Sequence, residues 1–198
     1  MAATIFEDKI HIEVEEFHPK EELVIVDTEK YQVRCIPVDH GIPNLAYAWV
    51  EKDRTRVDMA ACKRLGIPEG PLVGKLSRGD AVEVNGKRVL AKDVTYNVAG
   101  KKIAFIPDTQ PCPELVEIAR YADVLVCEST FSSEEENAQQ FRHMTAAKAA
   151  HVAADAEVKR LILTHFSQRY PRVDHLLEEA RTIFPTAECA YDLMRIEL

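Results

Sequence analysis

The sequence predicts an α/β fold, and three observations carry that prediction. From Lys102 onward, apolar runs too short for helices (Ile103–Ile106, Val124–Cys127, Leu161–Leu163) alternate with stretches of helical periodicity. A βαβαβα order of this kind builds parallel strands buried beneath crossover helices. Each of those strands also breaks off into a polar, ligand-type residue, at the edge where open α/β sheets place their chemistry.

Taken in order, the chain opens with residues to about Ile10 that carry no start signal, and His11–Phe17 alternates as a strand would. Glu22–Asp27 continues the β character, and Tyr31–Val38 alternates cleanly, with Val33, Cys35 and Pro37 sharing one face. Asp39–Asn44 is a turn, and Leu45–Val50 is the returning strand. Asp58–Leu65 is a short helix with Gly66 just past its end. The stretch GIPEGP, Gly66–Pro71, is an irregular, stiff loop, since glycine and proline both force special backbone. Asn85-Gly86 between Val82–Val84 and Arg88–Leu90 is a hairpin signal. The three later helices are expected at Pro113–Tyr121 (Leu115, Ile118 and Ala119 inward), Thr145–Ala156 and Val173–Phe184 (Leu176, Leu177, Ala180 and Ile183 inward). Two short strands near Glu188–Tyr191 and Leu193–Ile196 end the chain.

Length and composition narrow the class. A chain of 198 residues suits one domain with a real core and is short for two. No apolar run approaches the ~20 residues of a membrane span, and no basic-then-apolar leader opens the chain, so no membrane association is expected. Five scattered cysteines without a CxxC pair predict reduced thiols and a cytoplasmic location. The net charge of −8 speaks against a general nucleic-acid binder, but it is unevenly spread. Between Lys52 and Lys92 ten cations face five acids, a segment of +5 on a remainder of −13. Such a segment can dock phosphate, or it can be a solvated arm.

The strand ends gather the candidate chemistry. Tyr31–Val38 runs into Asp39-His40, Ile103–Ile106 into Pro107-Asp108-Thr109, Val124–Cys127 into Glu128-Ser129-Thr130, and Leu161–Leu163 into Thr164-His165. His143-Met144-Thr145 opens the alanine-rich helix. Imidazole and carboxylate donors suit zinc. Singly, each has a plainer reading: Asp108 as a helix N-cap, Glu128 as a buried acid tied to backbone, His165 as a core histidine bonded to a carbonyl. Together at one sheet edge they point to a hydrolytic metal site. His11, His18, His151 and His175 have no such partners and are expected to be solvated or to line helices.

At these residues the sequence resembles the ribonuclease Z family, tRNA 3′-processing endonucleases of the metallo-β-lactamase fold. The resemblance runs through DHGIPNLAY, GIPEGP, PDT, CESTF, HMT and LTHFSQRY. It implies a metallo-β-lactamase-like αββα sandwich, present in part, with a protruding arm. Residues 1–51 would end the N-terminal half-sheet, 52–95 form an inserted basic arm that grips the tRNA body, and 96–198 make the C-terminal βα half. The metal ligands implied are His40, Asp108 (bridging two zinc ions) and His165, with His143 and Glu128 in catalysis. Four positions depart from the family pattern: Pro107 for glycine, Gln110 for arginine, Cys127 for the first histidine of HEATF, and Met144 for the serine of HST. The HxHxDH motif, which brings four more ligands and the water-activating aspartate, has no counterpart in the sequence. One zinc would therefore keep only His40 and Asp108 here, and the other only Asp108 and His165. The resemblance thus implies a zinc endoribonuclease acting on precursor tRNA that is inactive or weakly active alone. Its expected partner is a second copy or an N-terminal half. The alternatives are an inactive RNA-binding remnant and another phosphodiesterase of the same fold.

Overall fold

The computed structural model describes residues 13–198. Seven strands form the main sheet: β1 (Leu23–Asp27), β2 (Tyr31–Asp39), β3 (Pro43–Glu51), β8 (Lys102–Ile106), β9 (Val124–Glu128), β10 (Leu161–Thr164) and β11 (Glu188–Cys189), in that spatial order. β2–β3 is an antiparallel hairpin in full register from Tyr31↔Glu51 to Asp39↔Pro43, and β3 pairs antiparallel with β8. β8, β9, β10 and β11 are mutually parallel. Two successive reversals leave β2 pointing the same way as β8, β9 and β10. Their carboxyl ends share one edge.

Helices α3 (Pro113–Ala119), α5 (Ala146–Asp155) and α6 (Asp174–Arg181) form a layer on one face of this sheet, α6 packing on α5. The core between them contains Ile36, Ala46, Ala48, Ala104, Ile106, Leu125, Leu161 and Leu163 from the strands. From the helices come Leu115, Ile118, Ala149, Ala150, Ala153, Leu176 and Ala180. Alanine on the inward side of α5 lets its backbone approach the strands closely while keeping high helix propensity. Thr145 caps that helix, its hydroxyl accepting from Lys148 N.

The other face is open in part, with Cys35 and Ile162 buried on it. Register places Leu23, Cys35, Tyr47, Phe105 and Val126 side by side on it. Tyr47 is 36% and Phe105 44% exposed. The architecture is that of one sheet with one helical layer, half of the layered sandwich the sequence predicts. In β2, Val33, Cys35 and Pro37 share one face as expected, and it is the face turned from the helices, while Ile36 and Val38 face the core. β8 is buried on one face only, not throughout.

Between β3 and β8 the chain leaves the sheet and builds a small unit. β4 (Arg54–Val57) pairs antiparallel with β7 (Thr95–Val98) as a two-stranded base. Above it lie α1 (Met59–Arg64), α2 (Pro71–Ser77), the hairpin β5 (Val82–Val84)–β6 (Lys87–Val89) and a 3-10 turn at Ala91–Asp93. It has its own core of Ala61, Cys62, Ile67, Leu76, Val82, Val89 and Val94. Asp58 caps α1 through Ala61 N, and Asn85 (φ 51°) with Gly86 (φ 73°) makes the primed turn that hairpins favour. Where the chain rejoins the sheet, a Cβ on Gly100 would stand 1.9 Å from the Glu51 carbonyl oxygen, so only glycine fits.

Four further differences from expectation have local causes. α2 follows the GIPEGP loop, hidden in the sequence because Pro71 and Gly74 read as breakers, although proline is well placed in a first turn. The strands β4 and β7 and the helix α4 (Glu135–Phe141) were not expected, being too polar to show an apolar period. Residues 13–19 form no strand, and His11 with the start of that expected strand lies outside the described residues. Leu193–Ile196 is not a strand either: Leu193 sits at φ 64° and is 96% exposed.

Candidate metal centre

Four strand ends deliver the expected side chains to one place. His40 follows β2, Asp108 lies two residues past β8, Glu128 is the last residue of β9, and His165 follows β10. His143 arrives from the turn between α4 and α5. Ligand atoms of His40, Asp108 and His143 lie within 4.8 Å of one another, as do those of Glu128, His143 and His165. Asp108 Oδ1 stands 3.3 Å from His165 Nε2. Asp108 thus touches the neighbourhood of both outer histidines. It is not a helix cap, since α3 is capped at Cys112.

Hydrogen bonds fix which nitrogen each ring offers. His40 Nδ1 is 3.0 Å from the Arg142 carbonyl oxygen and His143 Nδ1 is 2.9 Å from Glu128 Oε1; both partners only accept, so both nitrogens carry the proton. Thr130 donates its single hydroxyl hydrogen to Glu128 Oε2 at 2.9 Å, so at 2.7 Å its oxygen accepts from His165 Nδ1. With Nδ1 protonated in each, the rings present an Nε2 lone pair whenever they are neutral. A histidine whose second nitrogen is bonded to a carbonyl or carboxylate is the usual arrangement for a metal ligand. The 3.3 Å edge between Asp108 and His165 equals, to about 0.1 Å, the ligand–ligand separation of tetrahedral zinc with bonds near 2.0–2.1 Å. The donor set fits a divalent metal.

Glu128 is fully buried and organises the site. Its carboxylate accepts from the backbone N–H groups of Thr109, Thr130 and Met144, the Thr130 hydroxyl and the His143 ring. Both the plain reading (an acid tied to backbone) and the functional one (an acid holding a histidine) describe it. With its lone pairs engaged it orients histidines and is not itself open to metal.

Around this centre, Asp39 joins three segments. Its Oδ2 accepts from Gln110 Nε2 at 2.6 Å, and its Oδ1 from Arg142 Nη1 at 2.7 Å and from Gly41 N. Desolvation pushes its carboxyl up, but these bonds, Gln110 first and Arg142 next, outweigh it and hold the pKa below the usual value. Its carbonyl oxygen accepts from Gln110 N, and the Thr109 hydroxyl lies between it at 3.1 Å and the Gln110 carbonyl oxygen at 2.9 Å. Asn44 Nδ2 donates to the Asp108 carbonyl oxygen at 2.8 Å, tying β3 to the same loop. Cys127 is enclosed in the core, where burial pushes its thiol well up, so it is a packing residue. A cleft of about 350 Å³, lined by Gln110, Pro111, Ala138, Gln139 and Lys148 among others, reaches His143 from outside. Sequence reasoning missed Asp39, Thr130 and Arg142, whose types are common in turns and caps. Only their adjacency to His40, Glu128 and His143 marks them. His18, His151 and His175 belong to no metal-competent group among the described residues.

The comparisons with known proteins bear on the same residues. The Beta-lactamase superfamily domain matches residues 80–166, which include Asp108, Glu128, His143 and His165. Ribonuclease Z of Myxococcus xanthus is 40% identical across 100% of this chain and 68% of its own length. The chain belongs to the ribonuclease Z family. Ribonuclease Z of Methanothermobacter thermautotrophicus is 40% identical over 88% of this chain and 57% of its own length. The chain thus spans a little over half the length of that ribonuclease Z, and two thirds of the Myxococcus one. In structure, human tRNase Z, short form, aligns over 90% of this chain and 47% of its own, at TM-score 0.55 and 22% identity. The metallo-β-lactamase fold protein YhfI from Bacillus subtilis aligns over 88% and 51%, at TM-score 0.54 and 16% identity. Both likenesses establish the metallo-β-lactamase fold. No helix among the described residues is long and apolar enough to cross a membrane.

Proposed function

We propose that this chain supplies the carboxyl-end half of the active site of a zinc-dependent endoribonuclease that removes the 3′ trailer from precursor tRNA. The observation that carries the reading is the convergence of His40, Asp108 and His165 from three separate strand ends, with 3.3 Å between Asp108 Oδ1 and His165 Nε2. Membership of the ribonuclease Z family supplies the substrate class. In this reading His40, Asp108 and His165 would be the residues of this chain that hold zinc. The chemistry such a metal would supply there is polarisation of the phosphodiester and hydroxide near neutral pH. His143, its Nδ1–H fixed on Glu128, would in its doubly protonated form give the Nε2 proton to the departing 3′ oxygen and be left as the neutral Nδ1–H ring. The cleft beside it gives that oxygen access.

Three ligands shared by two ions fall short of the three per ion that catalytic zinc normally has. The remaining ligands and the water-activating aspartate come from an HxHxDH half outside these 198 residues. The chain alone is therefore weak or inactive. The test is cleavage of precursor tRNA by the chain alone, and by the chain with a polypeptide carrying that half, each with zinc. Cleavage at the trailer boundary only in the combined reaction is expected. Full activity of the chain alone overturns the division of ligands, and no cleavage in any combination overturns the nuclease reading.

A second reading, RNA binding without cleavage, is favoured by the inserted unit. Among the described residues Arg56, Lys63, Lys75, Arg78, Lys87, Arg88 and Lys92 make no ion pair, so their charge is open to phosphate. Binding of tRNA with no cleavage under any supplement decides for it.

A further inference from the structure

Arg142 is not among the residues that ligand chemistry singles out, yet three of its groups reach the tip of the β2–β3 hairpin. Its carbonyl oxygen accepts from His40 Nδ1 at 3.0 Å. Its Nη1 donates to Asp39 Oδ1 at 2.7 Å. Its stem lies across Gly41, where an added Cβ would stand 3.0 Å from Arg142 Cδ, so the arginine packs closely over the bare glycine backbone at φ 80°. Arg142 holds this pose from a left-handed backbone (φ 56°) at the end of α4, a conformation costly for any residue but glycine. The ion pair with Asp39 is about half exposed on both sides, so it adds little to stability. A strained backbone maintained for a pair of small energetic value points to geometry as its purpose. His143 is the next residue, and its ring centroid lies 4.8 Å from that of His40. Gln110 Nε2 meets the same Asp39 from the other side at 2.6 Å, so the loop carrying Asp108 is drawn into the same joint.

We infer that Arg142 is a positioning residue: it locks the His40 hairpin tip to the His143 turn and thereby sets the ring orientation and spacing of the two histidines. The inference rests on the reading of His40 as a metal ligand, which the same experiment tests separately. Arg142→Gly is the informative variant, because glycine keeps the left-handed turn and its carbonyl while deleting the guanidinium. Arg142→Lys returns a cation. Two measurements are made on the 198-residue chain. The first is the ring-nitrogen NMR of His40 in metal-free protein at pH 8, assigned with His40→Asn. The second is zinc affinity by competition with a chromophoric chelator.

In the unaltered chain His40 is expected as the Nδ1–H form. In Arg142→Gly it is expected to become a mixture of both forms, with zinc held roughly tenfold more weakly and the thermal midpoint not lowered. Arg142→Lys should recover part of both losses. An Arg142→Gly chain with the original His40 form and the original zinc affinity overturns the inference. If His40→Asn binds zinc as tightly as the unaltered chain, the ligand reading of His40 fails. The metal-free His40 signal of Arg142→Gly then decides the clamp by itself: a mixture upholds it, and an unchanged form overturns it.

Discussion

Thr130 Oγ1 lies 2.7 Å from His165 Nδ1 and links that ring by hydrogen bonds to the buried carboxylate of Glu128, 2.9 Å further on. The order of donation is forced, because a carboxylate can only accept and a hydroxyl has one hydrogen to give. Glu128 therefore governs two histidines, His143 directly and His165 through a hydroxyl. Thr130→Val, nearly equal in volume, removes the relay and leaves His165 free to turn or change tautomer. Zinc affinity of the chain is expected to fall by about tenfold or more, with Thr130→Ser close to the original. Chelator competition checks both. Equal affinity in Thr130→Val removes the relay from the account.

A second carboxylate ties the sheet together at its far edge. Asp123, buried just before β9, accepts from Lys102 N at 2.9 Å, Lys159 Nζ at 2.8 Å and Lys101 Nζ at 3.3 Å. Desolvation pushes its carboxyl up, but the bonds from Lys159, Lys102 N and Lys101 outweigh it and lower its pKa. A carboxyl whose folded-state pKa is lowered contributes stability that is fully present above the unfolded value, near 4. That contribution is lost as pH falls through the folded value. Urea denaturation should show Asp123→Asn less stable by about 1–3 kcal/mol at pH 7. The difference between the two proteins should shrink below pH 4.

The contrast between these carboxylates and their sequence signals shows what could be read in advance. β8, β9 and β10 were legible because each is an apolar run bounded by breaks, and His165, Asp108 and Glu128 were legible as polar residues cutting those runs short. α2 was not, because Pro71 at a first turn looks the same in sequence as Pro71 in a loop. The open face of the sheet was only half legible. Alternation in β2 shows two faces but not which one meets the helices, and that choice is made by α3 and α5, elements distant in sequence. Thr130 and Arg142 were illegible for a further reason: their partners, His165 and Asp39, lie 35 and 103 residues away.

The open face itself yields a prediction. Phe105 faces away from the helices, flanked in register by Tyr47 and Val126. A row of apolar side chains across three strands calls for a covering layer, and in the proposed reading the HxHxDH half provides it. Phe105→Glu costs the isolated chain little, about 0.5 kcal/mol or less, because the site is already wet. It should nevertheless abolish rescue of precursor-tRNA cleavage by the added half, and reduce binding of a hydrophobic dye to the lone chain. Rescue at the original level would mean the two halves meet elsewhere.

Lys87 and Arg88 stand on exposed positions of β6, beside the Asn85-Gly86 turn and without an ion-pair partner among the described residues. The packing of the inserted unit depends on Val82, Val89 and Leu76, not on these two side chains. Replacing both with alanine should therefore leave the denaturation midpoint unchanged. If the unit holds tRNA through phosphate contacts, each lost contact lowers the slope of log affinity against log salt by close to one. The double variant should then bind tRNA more weakly at low salt and show a slope smaller by roughly two. The loss should be the same for unrelated tRNA sequences, since phosphate contacts carry no base information. A loss confined to particular sequences would mean that these cations read bases, and an unchanged salt slope would place the tRNA on another surface of the chain.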